Sequence, residues 1–526
     1  MLWIALHLPL LSLEAFAATL ARGPAVSPQP ASAAGSAESA ASIEPLLALS
    51  DVQRITAANS AAQARGVQTG LKRATALALA PQLVLGQADP ARDQAALHAV
   101  AHAALAFTPA VALAPDSVLL QVQESLRCFG GFGRLVGRLR DALSPLGHSV
   151  WLASAPTAQG AALLARLHNE LHCSDLDALR ATLDAAPVRI LGYRFGSGLD
   201  RSHVDALQRL GVRTLGDLRR LPRAGLTRRF GEALLVELDC ALGQRSDPRR
   251  WLVVTGPFDS RLELAARADT TEQVLYGASV LLARLVAWAG AQQGRVRRFT
   301  LLMQHEARHR QRATPAATEL ELALAEPSLD AGHLRTLLRE RLAQLQLAAP
   351  TLELRLHCTD IVRSAPPNSE LFPSAQSERE GLVRLIERLQ ARLGPEQVQR
   401  LWLLEDHRPE CATGVGAVDP AAFDAASRRA PVRIDRGLMR HAPRPLWLLA
   451  SVQPLTERQL RPLLDGQPLQ LLGGPERIEA GWWDAELAER DYFIAQTTSG
   501  ALVWIYRARL PRAAQGHGWF LQGRFA

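Results

Sequence analysis

Residues 207 to 243 read LQRLGVRTLGDLRRLPRAGLTRRFGEALLVELDCALG, with leucines at helical spacing broken every few positions by glycine. Such a run cannot form one long helix, because each glycine favours a turn over the helix interior. It predicts short helices joined by tight hairpins, the pattern of helix-hairpin-helix units. A hairpin of this kind can aim backbone N–H groups and helix N-termini at a phosphate. Gly211, Val212, Arg213 and Thr214 in the first hairpin, with Arg219, Arg228 and Arg229 beside it, are therefore the candidate DNA contacts. Charge agrees: residues 189 to 250 hold 13 Arg against 7 Asp plus Glu, a net of +6, whereas residues 1 to 126 hold 6 basic and 8 acidic side chains, a net of −2. A helical bundle with a solvated arginine face is the plainer alternative.

The whole chain of 526 residues, 48% apolar and 21% charged, has room for several domains and is neither a disordered tail nor a disulfide-stapled miniprotein. Its formal charge is +8, and Lys72 is its one lysine. Arginine forks suit an acidic partner such as nucleic acid, although a GC-rich coding bias would give the same composition. Cys128, Cys173, Cys240, Cys358 and Cys411 are scattered and form no C-x-x-C pair, which argues against a zinc site or a secreted disulfide framework. The opening MLWIALHLPLLSLEAFAA has no basic residue ahead of its apolar run, and His7, Pro9 and Glu14 interrupt it, so it reads as a buried strand and a turn, not a signal peptide. No stretch reaches about 18 to 20 uninterrupted apolar residues, so no membrane association and a cytoplasmic location are expected.

Residues 22 to 44 are Ala, Ser, Pro and Gly with few large apolar side chains, and read as a disordered insertion after the first strand. Val118 to Gln123 has strand character, followed by the Gly-rich turn CFGGFG and a helix. After Pro257, strand-like segments around two helices predict a small helix-on-sheet domain, then a Pro/Ser-rich linker.

The order of ANSAAQARGVQTGL, VLLQVQESLRCFGG, ASAPTAQGAALLAR and LGVRTLGDLRRLP resembles a Y-family translesion DNA polymerase over residues 1 to 360. LHLPLLSLEAF, SLRCFGG, GPERIEAGWWD, RDYF and the C-terminal WF-x-x-G-x-F extend the likeness over nearly the whole chain, to the ImuB-type, polymerase-like subunit of the bacterial mutasome. The resemblance implies an α+β, multidomain, right-hand fold. Palm and fingers would span 1–165, a helix-hairpin-helix thumb 166–250, a little finger 251–362, a linker 363–378 and a C-terminal partner-binding region 379–526.

Polymerases of this kind use two magnesium ions held by carboxylates, since Mg2+ is a hard cation that prefers oxygen. The resemblance implies Asp-x-Asp on the first strand and Ser-x-Asp-Glu on a later one. Laid on this chain, the first pair falls at His7 and Pro9 and the later pair at Gln123 and Glu124, so among these positions Glu124 alone carries a carboxylate. Asp116 precedes the predicted strand and is not expected at the site. The reading is a catalytically defective adaptor in damage-induced (SOS-type) mutagenesis that needs no cofactor; Mg2+ would bind only in the alternative, an active polymerase with atypical ligands. A helix-hairpin-helix DNA-binding protein without polymerase function is the third possibility.

In the linker, Asn368-Ser369-Glu370-Leu371-Phe372 resembles the pentapeptide by which bacterial replication factors dock on the sliding clamp, with Leu371 and Phe372 as apolar anchors. Gln344-Leu345-Gln346-Leu347 and Gln470-Leu471-Leu472 compete with it. Trp482, Trp483, Tyr492, Phe493, Trp504, Tyr506, Trp519, Phe520 and Phe525 crowd the tail. Some should form a β-rich core and others an interface, and Trp482 and Trp483 are the candidate partner contacts. The resemblance implies primer-template DNA, the clamp, a RecA-like accessory subunit and an error-prone C-family polymerase as partners.

Overall fold

The structure is a computed structural model that describes residues 1–20, 45–192, 201–306, 315–363, 375–418, 443–484, 486–509 and 518–525. The predicted insertion at 22–44 and the pentapeptide at 368–372 lie outside the described residues. The chain divides into two compact units, 1–392 and 393–526.

The first unit opens with β1 (Trp3–His7) and α1 (Leu11–Ala17), then β2 (Leu47–Ser50), β3 (Ile55–Ala58), α2 (Ser60–Ala64), α3 (Arg73–Leu79), β4 (Val84–Gly86) and α4 (Pro90–Leu105). Next come β5 (Val111–Ala114), β6 (Ser117–Gln121), α5 (Leu126–Phe129), α6 (Phe132–Leu143), β7 (Trp151–Ala155), α7 (Ala158–Leu167), β8 (Leu171–His172) and α8 (Leu176–Ala185). The central sheet has the order β5-β6-β1-β7-β8, antiparallel except for the parallel β7–β8 pair. Successive side chains of a strand face opposite sides, so Trp3 and Ala5 pack with α7 while Ile4 and Leu6 pack with α4 and α6. Both faces are covered, which is why β1 is apolar without alternation. β3-β2-β4 form a small separate sheet with α2 and α3 on a core of their own.

Four short helices follow: α9 (Arg201–Arg209), α10 (Leu215–Arg220), α11 (Arg223–Phe230) and α12 (Glu232–Ala241). Their leucines join Ala161, Leu164 and Leu179 in one continuous apolar cluster. The expected boundary at 165/166 therefore cuts through a shared core, and β8 beyond it still belongs to the central sheet. Gly160 lets α7 and α12 approach: a Cβ there would stand 3.0 Å from the Ala241 carbonyl oxygen and 2.8 Å from Leu179 Cδ2.

The remaining sheet of this unit, β9 (Phe258–Ala268), β10 (Gly294–His305), β11 (Ala317–Ser328) and β12 (Thr351–Arg363), has the antiparallel order β11-β10-β12-β9. Helices α13 (Thr271–Ala291) and α14 (Ala331–Ala343) cover one face over Phe299, Leu301, Met303 and Leu356. α13 is long and apolar enough to cross a membrane, yet it serves as the core helix of this domain. α15 (Ala375–Leu393) also packs here: Ile386 and Ala391 are buried, and Glu387 accepts from Ala325 N at 2.6 Å and meets His333 Nε2 at 2.9 Å. The expected start of the last region at 379 thus moves to about 393, because α15 buries its apolar face in the preceding domain.

The second unit holds a hairpin, β13 (Gln399–Leu403) and β14 (Thr413–Ala417), and seven further strands: β15 (Trp447–Arg458), β16 (Arg461–Leu464), β17 (Gln467–Pro468), β18 (Gln470–Ala480), β19 (Ala488–Gln496), β20 (Leu502–Ala508) and β21 (Trp519–Arg524). Their order is β17-β16-β15-β21-β20-β19-β18. Gln470 begins a strand, so the competing Gln470-Leu471-Leu472 match is not a free extended peptide.

Candidate functional site

β5 and β6 are joined by the two residues Pro115 and Asp116, a tight hairpin that fixes the register of everything beside it. β6 pairs with β1 so that Ser117 faces His7 and Gln121 faces Trp3. His7, Pro9 and Asp116 therefore meet at one end of the sheet, on the wall of a cavity of about 650 Å³. Asp93 from α4 lines the same cavity and accepts a hydrogen bond from Ser12 Oγ. Much of the remaining wall is apolar, with Leu10, Leu13 and Leu97 among its residues.

Gln123 and Glu124 are not there. They follow β6 at its far end, both exposed, and four residues separate the level of Gln121 from that of Ser117. At ~3.3 Å per residue that is about 13 Å along the strand. The expected convergence of His7 with Gln123 and Glu124 is thus corrected: the carboxylate beside His7 is Asp116. The missed signal was the hairpin itself, VALA-PD-SVLLQ, two apolar runs separated by two turn residues. Only its second strand was legible as a strand from composition.

Asp116 is already engaged from several sides. Ser117 Oγ donates to its Oδ1 at 2.7 Å, His7 Nδ1 lies 3.4 Å from the same oxygen, and Arg166 Nη2 lies 3.7 Å away. Arg166 comes from α7, the helix on the Trp3 and Ala5 face of the sheet, and is only 6% exposed. Burial pulls its guanidinium below the ordinary value, and the nearby Asp116 and Glu237 resist that pull. Glu237, from α12, accepts from Gln159 Nε2 at 2.7 Å, and Arg249 Nη2 donates to Gln159 Oε1 at 2.9 Å. A buried polar network thus runs from His7 through Asp116 and Arg166 to the helical layer. Its cation is internal.

These residues do not fit two magnesium ions. Among the described residues no three His, Cys, Asp or Glu side chains are grouped to hold a metal, and Asp116 lies against a buried guanidinium. Two divalent cations beside a triphosphate need several uncompensated carboxylates.

In the helical layer the hairpin differs from expectation. Gly211 takes the left-handed conformation at φ 84°, which favours glycine. Its N–H donates to Gln208 O at 3.0 Å and that of Val212 to Leu207 O at 3.1 Å, while the Val212 side chain is buried in the core. The N–H groups of Arg213 and Thr214 donate to Asp217 Oδ2 at 3.2 and 3.0 Å, and Thr214 Oγ1 accepts from Asp217 N at 3.1 Å. This capping box uses the amides expected to face a phosphate. Those hydrogen bonds, Thr214 first, hold the Asp217 carboxyl below the usual range. Arg219 is ion-paired with Asp184. Arg213, Arg228 and Arg229 remain solvent-exposed cations, Arg229 with its guanidinium 5.7 Å from the Phe230 ring centroid.

In the second unit the aromatics separate into two classes. Trp504, Tyr492, Tyr506 and Phe520 form a buried ladder with successive centroids 4.2, 5.2 and 5.1 Å apart, and Tyr492 Oη donates to Gln522 Oε1 at 2.6 Å. Trp482 and Trp483 are 78% and 52% exposed and meet edge to face at 5.3 Å. Beneath Trp483 lies Arg408, fixed by Asp406 at 2.8 Å and Asp484 at 2.5 Å.

The impB/mucB/samB family profile matches residues 14–166. Protein ImuB from Caulobacter vibrioides, in strains NA1000 / CB15N and ATCC 19089 / CIP 103742 / CB 15, is 30% identical over 476 residues, covering 88% of this chain and all of that protein. Among solved structures, a ternary complex of Dbh is 16% identical with a TM-score of 0.35, covering 69% of this chain and 99% of that one. DinB from Sulfolobus solfataricus gives the same identity and TM-score, covering 69% and 100%.

Proposed function

Because the chain belongs to the ImuB family of Y-family-polymerase-like proteins, we propose that it is a catalytically defective adaptor that binds primer-template DNA and recruits others to perform translesion synthesis. In this reading the central sheet is a palm, the short helices a thumb and the β9–β12 sheet a little finger. The observation that carries the reading is the register of β1 and β6. It brings together His7, Pro9 and Asp116, one acid among three side chains, with a buried arginine beside that acid. Unit charges about 4 Å apart near a protein surface interact by ~4 kcal/mol, and this site lacks several such attractions for a divalent ion.

A pocket of this kind speaks against extending DNA, and in this reading the helical layer does the holding. Exposed Arg213, Arg228 and Arg229 would supply phosphate contacts through their side chains, giving strongly salt-dependent binding. Leu371 and Phe372 would engage the sliding clamp, and Trp482 with Trp483 would anchor a partner, a RecA-like subunit or an error-prone C-family polymerase.

The test is primer extension by purified protein with Mg2+ or Mn2+, alongside binding to the same primed duplex. Binding without incorporation is expected. Template-directed incorporation that vanishes in Asp116→Ala would overturn the inactive-site reading. It would favour the second reading, an active enzyme using Asp93 and Asp116, the two acids on one cavity wall. Leu371→Ala with Phe372→Ala should abolish clamp binding by calorimetry; retained affinity would place the docking segment elsewhere.

A further inference from the structure

A second cavity of the first unit, about 970 Å³, lies between α1, β4 and the start of α4 on one side and β9 and α13 on the other. Four arginines line it, Arg73, Arg92, Arg261 and Arg284. Arg261 is matched by Glu353 at 3.2 Å. The other three have no carboxylate partner among the described residues.

Arg284 is the most informative. It is 95% buried, 5% exposed, and its guanidinium donates from Nη1 to Ser260 Oγ at 3.3 Å. Burial pushes it down to about 10, the response of a cation taken out of water without an opposing charge. A buried guanidinium with only a hydroxyl beside it is costly to keep. Arg92 shows a second, independent deficit. Its Nη2 donates to Gln87 O at 2.7 Å and its Cζ lies 5.5 Å from the Phe16 centroid, but its buried Nε has no hydrogen-bond partner.

The acids on this wall do not answer these cations. Asp259 is held by Arg355, whose Nε donates at 2.8 Å, and Asp89 caps α4 through Ala91 N and Arg92 N. Glu263 stands 4.0 Å from Arg261. Thr19, Ser50 and Gln87 add neutral hydrogen-bonding groups.

The geometry points to a phosphate-binding site in this cavity, held by Arg73, Arg92 and Arg284. Guanidinium forks match phosphate oxygens in planar pairs, and an arriving dianion would complete both the Arg284 charge and the Arg92 Nε. The phosphate could belong to a free polyphosphate or to a single-stranded nucleic acid. The site is separate from the His7 and Asp116 cavity, so it does not depend on whether that cavity is inactive.

Two probes separate the sources, inorganic pyrophosphate and a dT oligonucleotide, each titrated by calorimetry into the full chain and into Arg73→Gln/Arg92→Gln and Arg284→Met. Loss of a charge-assisted contact of this type should weaken binding about tenfold or more. Saturable pyrophosphate binding that falls by that factor in both variants supports a free-anion site. Oligonucleotide affinity that falls while pyrophosphate never saturates supports a strand phosphate. Where Arg284→Met fails to fold, the double variant decides, because Arg73 is exposed and Arg92 half-buried: no saturable binding of either probe, or affinities for both within about twofold of the parent, overturns the site.

Discussion

Replacing Arg166 with methionine tests whether the internal cation has become part of the fold. The substitution keeps an unbranched apolar stem of similar reach and removes the charge. At 3.7 Å from Asp116, a unit pair at an effective dielectric of 20 is worth roughly 4 kcal/mol, and removing one member of a buried pair typically costs about 3–5 kcal/mol. Asp116 would keep Ser117 and His7, and Glu237 would keep Gln159. These contacts moderate the loss, so we expect the lower end, about 3 kcal/mol. The triple variant Arg166→Met/Asp116→Asn/Glu237→Gln should regain most of it, since neutral groups of the same shape no longer need a counter-charge. A chain of several domains does not unfold in one step, so the readout is local. Hydrogen exchange of β6 and α7 amides, measured against urea, reports the stability of this layer. A single variant within about 1 kcal/mol of the parent, or a triple variant no better than the single, would refute the argument.

Other outcomes follow from the packing of the first unit and the exposure of Trp482 and Trp483. Burial first, and His98 second, lower His102 from 6.5 to about 4. Between those values the unfolded chain binds a proton that the folded chain refuses, so stability declines as pH falls through the window, by up to about 3 kcal/mol. His102→Leu should flatten that decline in the hydrogen-exchange stability of α4 amides measured at pH 7 and 4.5; an unchanged slope would place the acid sensitivity elsewhere. Gly160→Ala should destabilise by about 1–3 kcal/mol through the clash with Ala241 O and Leu179, read as earlier exchange of α7 and α12 amides. Trp482→Ala with Trp483→Ala should leave the hydrogen-exchange protection of the β18 to β21 amides unchanged, as substitutions of exposed side chains do. The same pair should weaken capture of an accessory subunit about tenfold or more; undiminished capture would remove the two tryptophans from the interface.

Helices were the most legible part of this chain, because their signals are local. Glycine between leucine runs marked α10, α11 and α12, and the apolar stretch after Pro257 marked α13. The hairpin amides show the limit of local signals: the sequence shows a hairpin at Gly211, but Asp217 takes the N–H groups of Arg213 and Thr214, and such a capping box competes directly with a phosphate. Tail aromatics were visible as a cluster, yet their division into ladder and surface pair follows from which strands β19, β20 and β21 place side by side.

The sequence by itself determined the family, the α+β order of elements, and that His7 and Pro9 put no carboxylate at the end of the first strand. Each is carried by residue identity or by spacing within one segment. Tertiary structure decided that the acid beside His7 is Asp116 and not Glu124, and that Arg166, some fifty residues away along the chain, lies against it. Strand register sets that, and register comes from the Pro115–Asp116 turn together with burial on both sheet faces. A shift of two residues in pairing would leave the sequence pattern intact and change which charges meet.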